Sequence, residues 1–269
     1  MKLHENFQKF DGFFFDCDGV LWEGNQLLKG SSELLELLKN QDKKVCFLSN
    51  NSTKSLDQYV EKFASLNISI NKNQVITSSL VTVAYCNKKS YKNKTVFIIG
   101  EEGLKLTFEE AGYEVLLNEE PEQRVDAVIV GMDRFFTYDK LSAGLHYCLK
   151  GADFIGTNPD PQFPTPKGFF PGAGSMIGAL EASLGYGPEK VCGKPDPLMA
   201  EIMLNRFNLN PNKSVMVGDR VTTDLQLALN AKMHPILVKT GFGNEEYKKF
   251  SNFSYYKVIE NLSEFYIYE

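Results

Sequence analysis

Residues 12–22 read GFFFDCDGVLW, and the order of residue types in this stretch decides the fold. The run Gly12–Phe15 is apolar without alternation, as expected of a strand buried on both faces of a parallel sheet. Asp16 and Asp18 follow around Cys17, and then Gly19, which lets the backbone turn sharply. The strand therefore ends in two carboxylates at a sheet edge, and in open α/β sheets the carboxyl edge is where ligands bind. Like charges this close repel, so the pair implies either a cation or a shared proton. The same residues also suit an ordinary Asp-Gly turn. What the rest of the chain brings to that edge must choose between these.

Working outward, Ser31–Asn40 (SSELLELLKN) carries a Ser cap and leucines three and four apart, which predicts an amphipathic helix. Lys44–Leu48 reads as a second strand, followed by the polar turn SNNSTKS and a helix beginning near Ser55. Beyond Thr77, the stretches TVFIIG, DAVIVGM and DFIGTN read as strands separated by helical segments such as YDKLSAGLHYCLK. Later, SVMVGD ends a strand and VTTDLQLALNAK begins a helix. This alternation predicts an α/β protein with a Rossmann-like, doubly wound parallel sheet. The Pro- and Gly-rich segment NPDPQFPTPKGFFPGAG reads as a loop, either a plain connection or a lid.

Composition narrows the classes of function. A net charge of −5 and a pI near 5.4 exclude broad electrostatic attraction to nucleic acid or anionic membranes. Five cysteines without a CxxC pair read as reduced, mostly buried thiols. The start, MKLHENFQKFD, lacks the apolar core of a signal peptide, and no apolar run approaches the ~20 residues of a membrane span. A cytoplasmic location is expected.

Three further groups sit at expected strand ends. Asp219 and Asp224 add carboxylates suited to Mg²⁺, which takes one or two carboxylates with water and substrate phosphate. Zinc is disfavoured, because His4, His146 and His234 do not pair at ligand spacing. Asp224 alone could equally stabilise a helix N-terminus. Ser49, Asn50 and Asn51 offer donors around a helix start, an anion cradle or a capping turn. Lys194, in CGKPDP, could neutralise a phosphate or simply be solvated.

Taken in order, DCDGVLW, FLSNNSTKS, CGKPDP and VMVGDRVTTD resemble the four motifs of the haloacid dehalogenase (HAD) superfamily. With PGAGSMIGALEAS between them, the chain is most similar to the 4-nitrophenylphosphatase and phosphoglycolate phosphatase branch, the chronophin-like enzymes with a large α/β cap. The resemblance implies that Asp16 attacks phosphorus to form an aspartyl-phosphate while Asp18 serves as acid and then base. It implies Mg²⁺ held by Asp16, the Asp18 carbonyl, Asp219 and Asp224, the last directly or through water. Lys194, Ser49 and main-chain groups of Asn50 and Asn51 would bind the phosphoryl oxygens.

Spacing locates the expected insertion. Asp16 and Ser49 are 33 residues apart, room for a turn, a helix and a strand, whereas Ser49 and Lys194 are 145 apart. Only the second interval can hold a domain, so residues 1–84 and 187–269 are expected to form the catalytic core and 85–186 the smaller inserted cap.

The expected partner is a small phosphorylated metabolite, with 2-phosphoglycolate favoured by resemblance, and a homodimer through the cap is expected on the same ground. A broad sugar-phosphate or pyridoxal-phosphate phosphatase is the alternative. Phe163 stands where chronophin-like sequences often carry His, which weakens the pyridoxal-phosphate option. A metabolite-binding regulator on the same fold is the non-enzymatic alternative, although it would have no use for the second acid, Asp18. Asp133 and Arg134 read as solvated or dimer-contact charges, and Gly172, Gly174 and Gly178 make only a weak dinucleotide signature.

Overall fold

Phe13, Phe14 and Phe15 are completely buried in the strand Gly12–Asp16, because neighbouring strands flank it on both sides. The computed structural model describes residues 1–165 and 168–268. These divide into two compact units, one of residues 1–49, 60–76 and 194–269 and the other of 50–59 and 77–193.

The first unit is built on a six-stranded sheet in the spatial order Lys257–Ile259, His234–Val238, Ser214–Gly218, Gly12–Asp16, Lys44–Ser49, Val75–Thr77. Its pairings from Lys257–Ile259 across to Lys44–Ser49 are parallel. Numbered along the chain, this is the 3-2-1-4-5-6 order of a doubly wound sheet, which reverses between Gly12–Asp16 and Ser214–Gly218. The helix Ser31–Asn40 buries Leu34, Leu35, Leu37 and Leu38. Its cap differs from expectation. Gly30, at φ +88°, occupies the N-cap, and the Ser31 hydroxyl donates instead to the Leu21 carbonyl at 2.9 Å. A side chain at residue 30 would run into the Leu262–Ser263 backbone, which is why glycine stands there.

The second unit has a five-stranded parallel sheet in the order Lys190–Val191, Asp153–Gly156, Ala127–Val130, Thr95–Ile99, Glu114–Leu116. Its core joins strand residues Phe97, Ile99, Val128, Val130 and Phe154 to Tyr147, Ile177 and Leu180 of the helices Tyr138–Leu149 and Ala173–Leu184. The fold class is thus α/β in both units. Ser55 opens the helix Leu56–Ser65 through a reciprocal pair, its hydroxyl accepting from Gln58 N and its own N–H donating to Gln58 Oε1.

Two readings of this unit need correction. The segment expected as a loop contains an antiparallel ribbon, Gln162–Thr165 with Gly168–Pro171, in which Phe163 faces Phe170 with ring centroids 6.2 Å apart. Prolines hide strand character in a sequence, yet an isolated two-stranded ribbon has open edges that need no N–H donor. Residues 166–167 of that segment lie outside the described residues. Asp133 is not solvated: it is 1% exposed, caps Phe135 N at 2.8 Å and pairs with Lys140 Nζ at 2.6 Å. Arg134 makes a two-pronged pair with Glu101. Gly172 and Gly174 allow the start of the helix Ala173–Leu184 to approach the Pro159–Asp160 backbone, a packing role.

Candidate active site

The sheet reversal puts two carboxylate-bearing strand ends side by side. Phe15 pairs with Val217, so Asp16 and the Gly218-Asp219 turn leave adjacent strands at the same edge. On the other side Asp16 pairs with Leu48, and Ser49, buried at 3% exposure, is the next residue of that strand. A reversal point leaves a crevice because the connections on either side run in opposite directions.

Asp224 joins this edge through a wide π-helical turn, Val221–Leu225, of the kind found where a helix start must re-aim a side chain. Its Oδ2 accepts from Arg220 N at 3.1 Å. Asp219 Oδ2 accepts from Phe242 N at 2.9 Å. One oxygen each of Asp16, Asp219 and Asp224 lies within 4.8 Å of the others. Glycines make room for them. A Cβ at Gly218 would collide with the Asp224 side chain, and one at Gly19 (φ +83°) or Gly241 (φ +53°) with Asp219 Oδ2.

Lys194 supplies the positive charge of the cluster. Its Nζ lies 2.5 Å from Asp16 Oδ1, 2.7 Å from Asp224 Oδ1 and 3.3 Å from the Leu48 carbonyl, and its side chain is 3% exposed. Asp224 Oδ1 is fully buried and, among the described residues, faces this ammonium with no hydrogen bond besides. With all three ionised, three carboxylates against this one lysine would leave a deficit of two positive charges.

Protonation follows from that deficit. Burial, then the Asp224 and Asp18 charges, push Asp16 up to about 7, with Lys194 opposing. Burial and the Asp16 and Asp224 charges hold Asp219 well above the usual carboxylate range. Burial would lower Lys194, but Asp16 and Asp224 outweigh it and keep the ammonium above its ordinary value. Cys17 is raised by burial first and then by Asp16 and Asp18, so its thiol stays protonated beside the two acids. A divalent, oxygen-seeking cation fits this donor set, since it balances the charge of the ionised cluster and gives its clustered carboxylate oxygens a common partner.

The remaining expected site residues are placed as follows. Asp18 is exposed, and its Oδ1 accepts from the indole of Trp22 at 2.9 Å. Asn50 and Asn51 belong to the second unit by contact. There Asn50 Nδ2 donates to Asp160 Oδ2 at 3.0 Å, and Asn50 O accepts from Ser78 Oγ and Asn158 Nδ2. Asn51 Oδ1 takes both Thr53 N and Thr53 Oγ1, an Asx turn. Of the three histidines, His146 pairs with Glu119 and His234 with Asn212 O.

Three comparisons with known proteins now bear on this geometry. Residues 13–114 match the Haloacid dehalogenase-like hydrolase family model, and residues 191–265 match a second, HAD-hydrolase-like model. The chain belongs to the haloacid dehalogenase-like hydrolase family. Among the relatives of this HAD hydrolase, phosphoglycolate phosphatase 1A (chloroplastic) of Arabidopsis thaliana is 36% identical over 85% of the chain and 68% of its own length. An acid sugar phosphatase of Staphylococcus epidermidis is 33% identical over 88% and 89%. The solved 4-nitrophenylphosphatase of Thermotoga maritima superposes with a TM-score of 0.88 at 32% identity, covering 97% of this chain and 98% of that one.

Sequence reasoning missed three parts of this HAD hydrolase site: Trp22, the Gly241-Phe242 corner under Asp219, and the Leu48 carbonyl on Lys194. The corner had a signal, since T-G-F-G at 240–243 begins two residues after the end of the strand His234–Val238. A backbone carbonyl has none.

Proposed function

We propose that this chain is a Mg²⁺-dependent phosphatase of small phosphorylated metabolites, with 2-phosphoglycolate as the favoured substrate and 4-nitrophenyl phosphate also accepted. The observation that carries this reading is the arrangement of Asp16, Asp219, Asp224 and Lys194 at the sheet reversal: three clustered carboxyl groups, two of them buried, with one ammonium.

Asp16, Asp219 and Asp224 would hold the ion together with the Asp18 carbonyl. Bound Mg²⁺ offsets charge on Asp16 and on the phosphoryl oxygens, so that the anionic nucleophile and anionic substrate can approach. The steps belong to the chain's own residues. An Asp16 carboxylate oxygen forms a bond to phosphorus as the bond to the leaving oxygen breaks, and Asp18 donates its proton to that oxygen. Asp18 then takes a proton from the water that attacks phosphorus, the acyl-phosphate P–O bond breaks, and inorganic phosphate leaves. Lys194 and Ser49, with main-chain groups of Asn50 and Asn51, bind the phosphoryl oxygens. Positioning and charge neutralisation supply most of the rate in such a transfer.

Residues 85–186 are assigned as the inserted cap, which selects the substrate beyond its phosphate and carries a homodimer contact. The five cysteines, all buried, fit a cytoplasmic protein. Similarity to an acid sugar phosphatase supports a second reading, a broader sugar-phosphate activity, with pyridoxal phosphate weakened by Phe163. Phosphate release across a panel of esters decides between them. Phosphoglycolate should lead in kcat/KM with Mg²⁺ present and all turnover should vanish with chelator. A sugar phosphate in first place would overturn the substrate, and unaffected turnover in chelator would overturn the metal.

A further inference from the structure

The one tryptophan of the chain is aimed at the acid of the site. Trp22 is 1% exposed, yet its indole N–H reaches Asp18 Oδ1 at 2.9 Å while Asp18 itself is exposed. An exposed carboxylate on a short side chain has several rotamers open to it, and a buried donor on one oxygen removes most of them.

The donor is itself fixed from several directions. The chain from Cys17 to Trp22 folds back on itself, with Leu21 N donating to Cys17 O at 2.9 Å and Gly19 N to Trp22 O at 2.8 Å. The Leu21 carbonyl is held by the buried Ser31 hydroxyl. The Trp22 ring meets the Phe63 ring edge-on at 4.9 Å, and Lys62 Nζ lies 5.8 Å from its centroid. That same ammonium binds Gly24 O and Asn25 Oδ1 at 2.6 Å, pinning the tight hairpin that Trp22–Glu23 forms with Gln26–Leu27. All of these residues belong to the first unit.

We infer that Trp22 is a positioning residue: its indole N–H holds Asp18 Oδ1 and so leaves Oδ2 as the oxygen that gives and takes the proton. This rests on the phosphatase reading, in which Asp18 protonates the leaving oxygen as the Asp16–phosphorus bond forms. Trp22 contacts neither substrate nor phosphorus in this account and acts through Asp18 alone.

The consequence is a dependence on the leaving group. 4-Nitrophenolate departs readily without a proton, whereas an alkoxide needs one, so a badly held acid should cost more on an alkyl ester. The test compares Trp22→Phe with the unaltered chain on 4-nitrophenyl phosphate and on an alkyl phosphate such as glycerol phosphate. The readout is kcat/KM, which reports the first transfer. Phe keeps a ring against Phe63 and loses the N–H. The expected result is a loss about tenfold larger on the alkyl ester than on the aryl ester, of the size of a misplaced general acid. Equal losses on the two esters, or none, would overturn the inference.

A second measurement is independent of turnover and of the folding of that variant. With one tryptophan, the chain has one indole N–H resonance. Replacing Asp18 with Ala should move it upfield as the carboxylate acceptor disappears, and an unmoved resonance would overturn the inference. If the unaltered chain hydrolyses neither ester, the phosphatase reading fails. The resonance still decides whether Trp22 holds Asp18.

Discussion

The ammonium of Lys194 lies 2.5 Å from Oδ1 of Asp16, although the two residues are 178 positions apart in the chain. The contact closes the first unit across the whole intervening segment, and it opposes the burial that raises Asp16. Several consequences can be measured.

Removing that cation leaves Asp16 and Asp224 without the ammonium that faces them. Lys194→Met should lower the unfolding free energy of the chelator-treated protein by about 3 kcal/mol, as expected when one partner of a buried pair is deleted. Urea denaturation would register this as an earlier midpoint. Hydrolysis should fall at least about a hundredfold, because the same ammonium is assigned to the phosphoryl oxygens.

Metal affinity should depend on pH with a definite sign. A carboxylate binds a cation only when ionised, and Asp16 is pushed up to about 7 by burial. Mg²⁺ affinity, measured by titration calorimetry, should therefore weaken as the pH falls through about 7. A flat profile from pH 5 to 8 would remove Asp16 from the ligand set.

The same displacement makes Asp16 a cost to stability. Its folded value lies above its unfolded value of 3.8, so the folded chain holds the proton longer and loses stability as pH rises from about 4 to about 7. In the absence of metal at pH 8, Asp16→Asn should melt at a higher temperature than the unaltered chain, while at pH 4 the difference should nearly vanish. The variant should have no turnover at either pH.

How much of this could be read beforehand depends on the kind of residue. Asp16, Ser49 and Asp219 were legible because continuous apolar runs such as FFF and VMV announce buried strands, and a polar residue at or just beyond the end of one marks the sheet edge. The ribbon at 162–171 was hidden by prolines that an open-edged ribbon tolerates. The helix cap at Gly30 was hidden because Ser31 looks like a cap, while close approach of the 262–263 backbone requires glycine one residue earlier. Asp133 looked solvated because its partner, Lys140, lies seven residues on and beyond a turn. Trp22 is buried, and nothing in a linear pattern says where an indole N–H points.

The glycine cradle makes its own prediction. Gly19→Ala would place a β-carbon against Asp219 Oδ2 at φ +83°, where an L-residue pays about 1–2 kcal/mol before any collision. The variant should melt earlier and bind Mg²⁺ more weakly, with both effects visible in thermal scans run with and without the ion. Gly112→Ala, also at positive φ (+82°) but with open space around it, serves as the control and should lose stability without losing metal affinity.

The central claim is that Asp16 becomes covalently phosphorylated. Acid quenching during turnover, followed by borohydride reduction and peptide mass spectrometry, tests it directly. The expected product is homoserine at position 16 and an unmodified aspartate at position 18. Phosphate release with no reducible acyl-phosphate, or reduction at Asp18 in place of Asp16, would contradict the account.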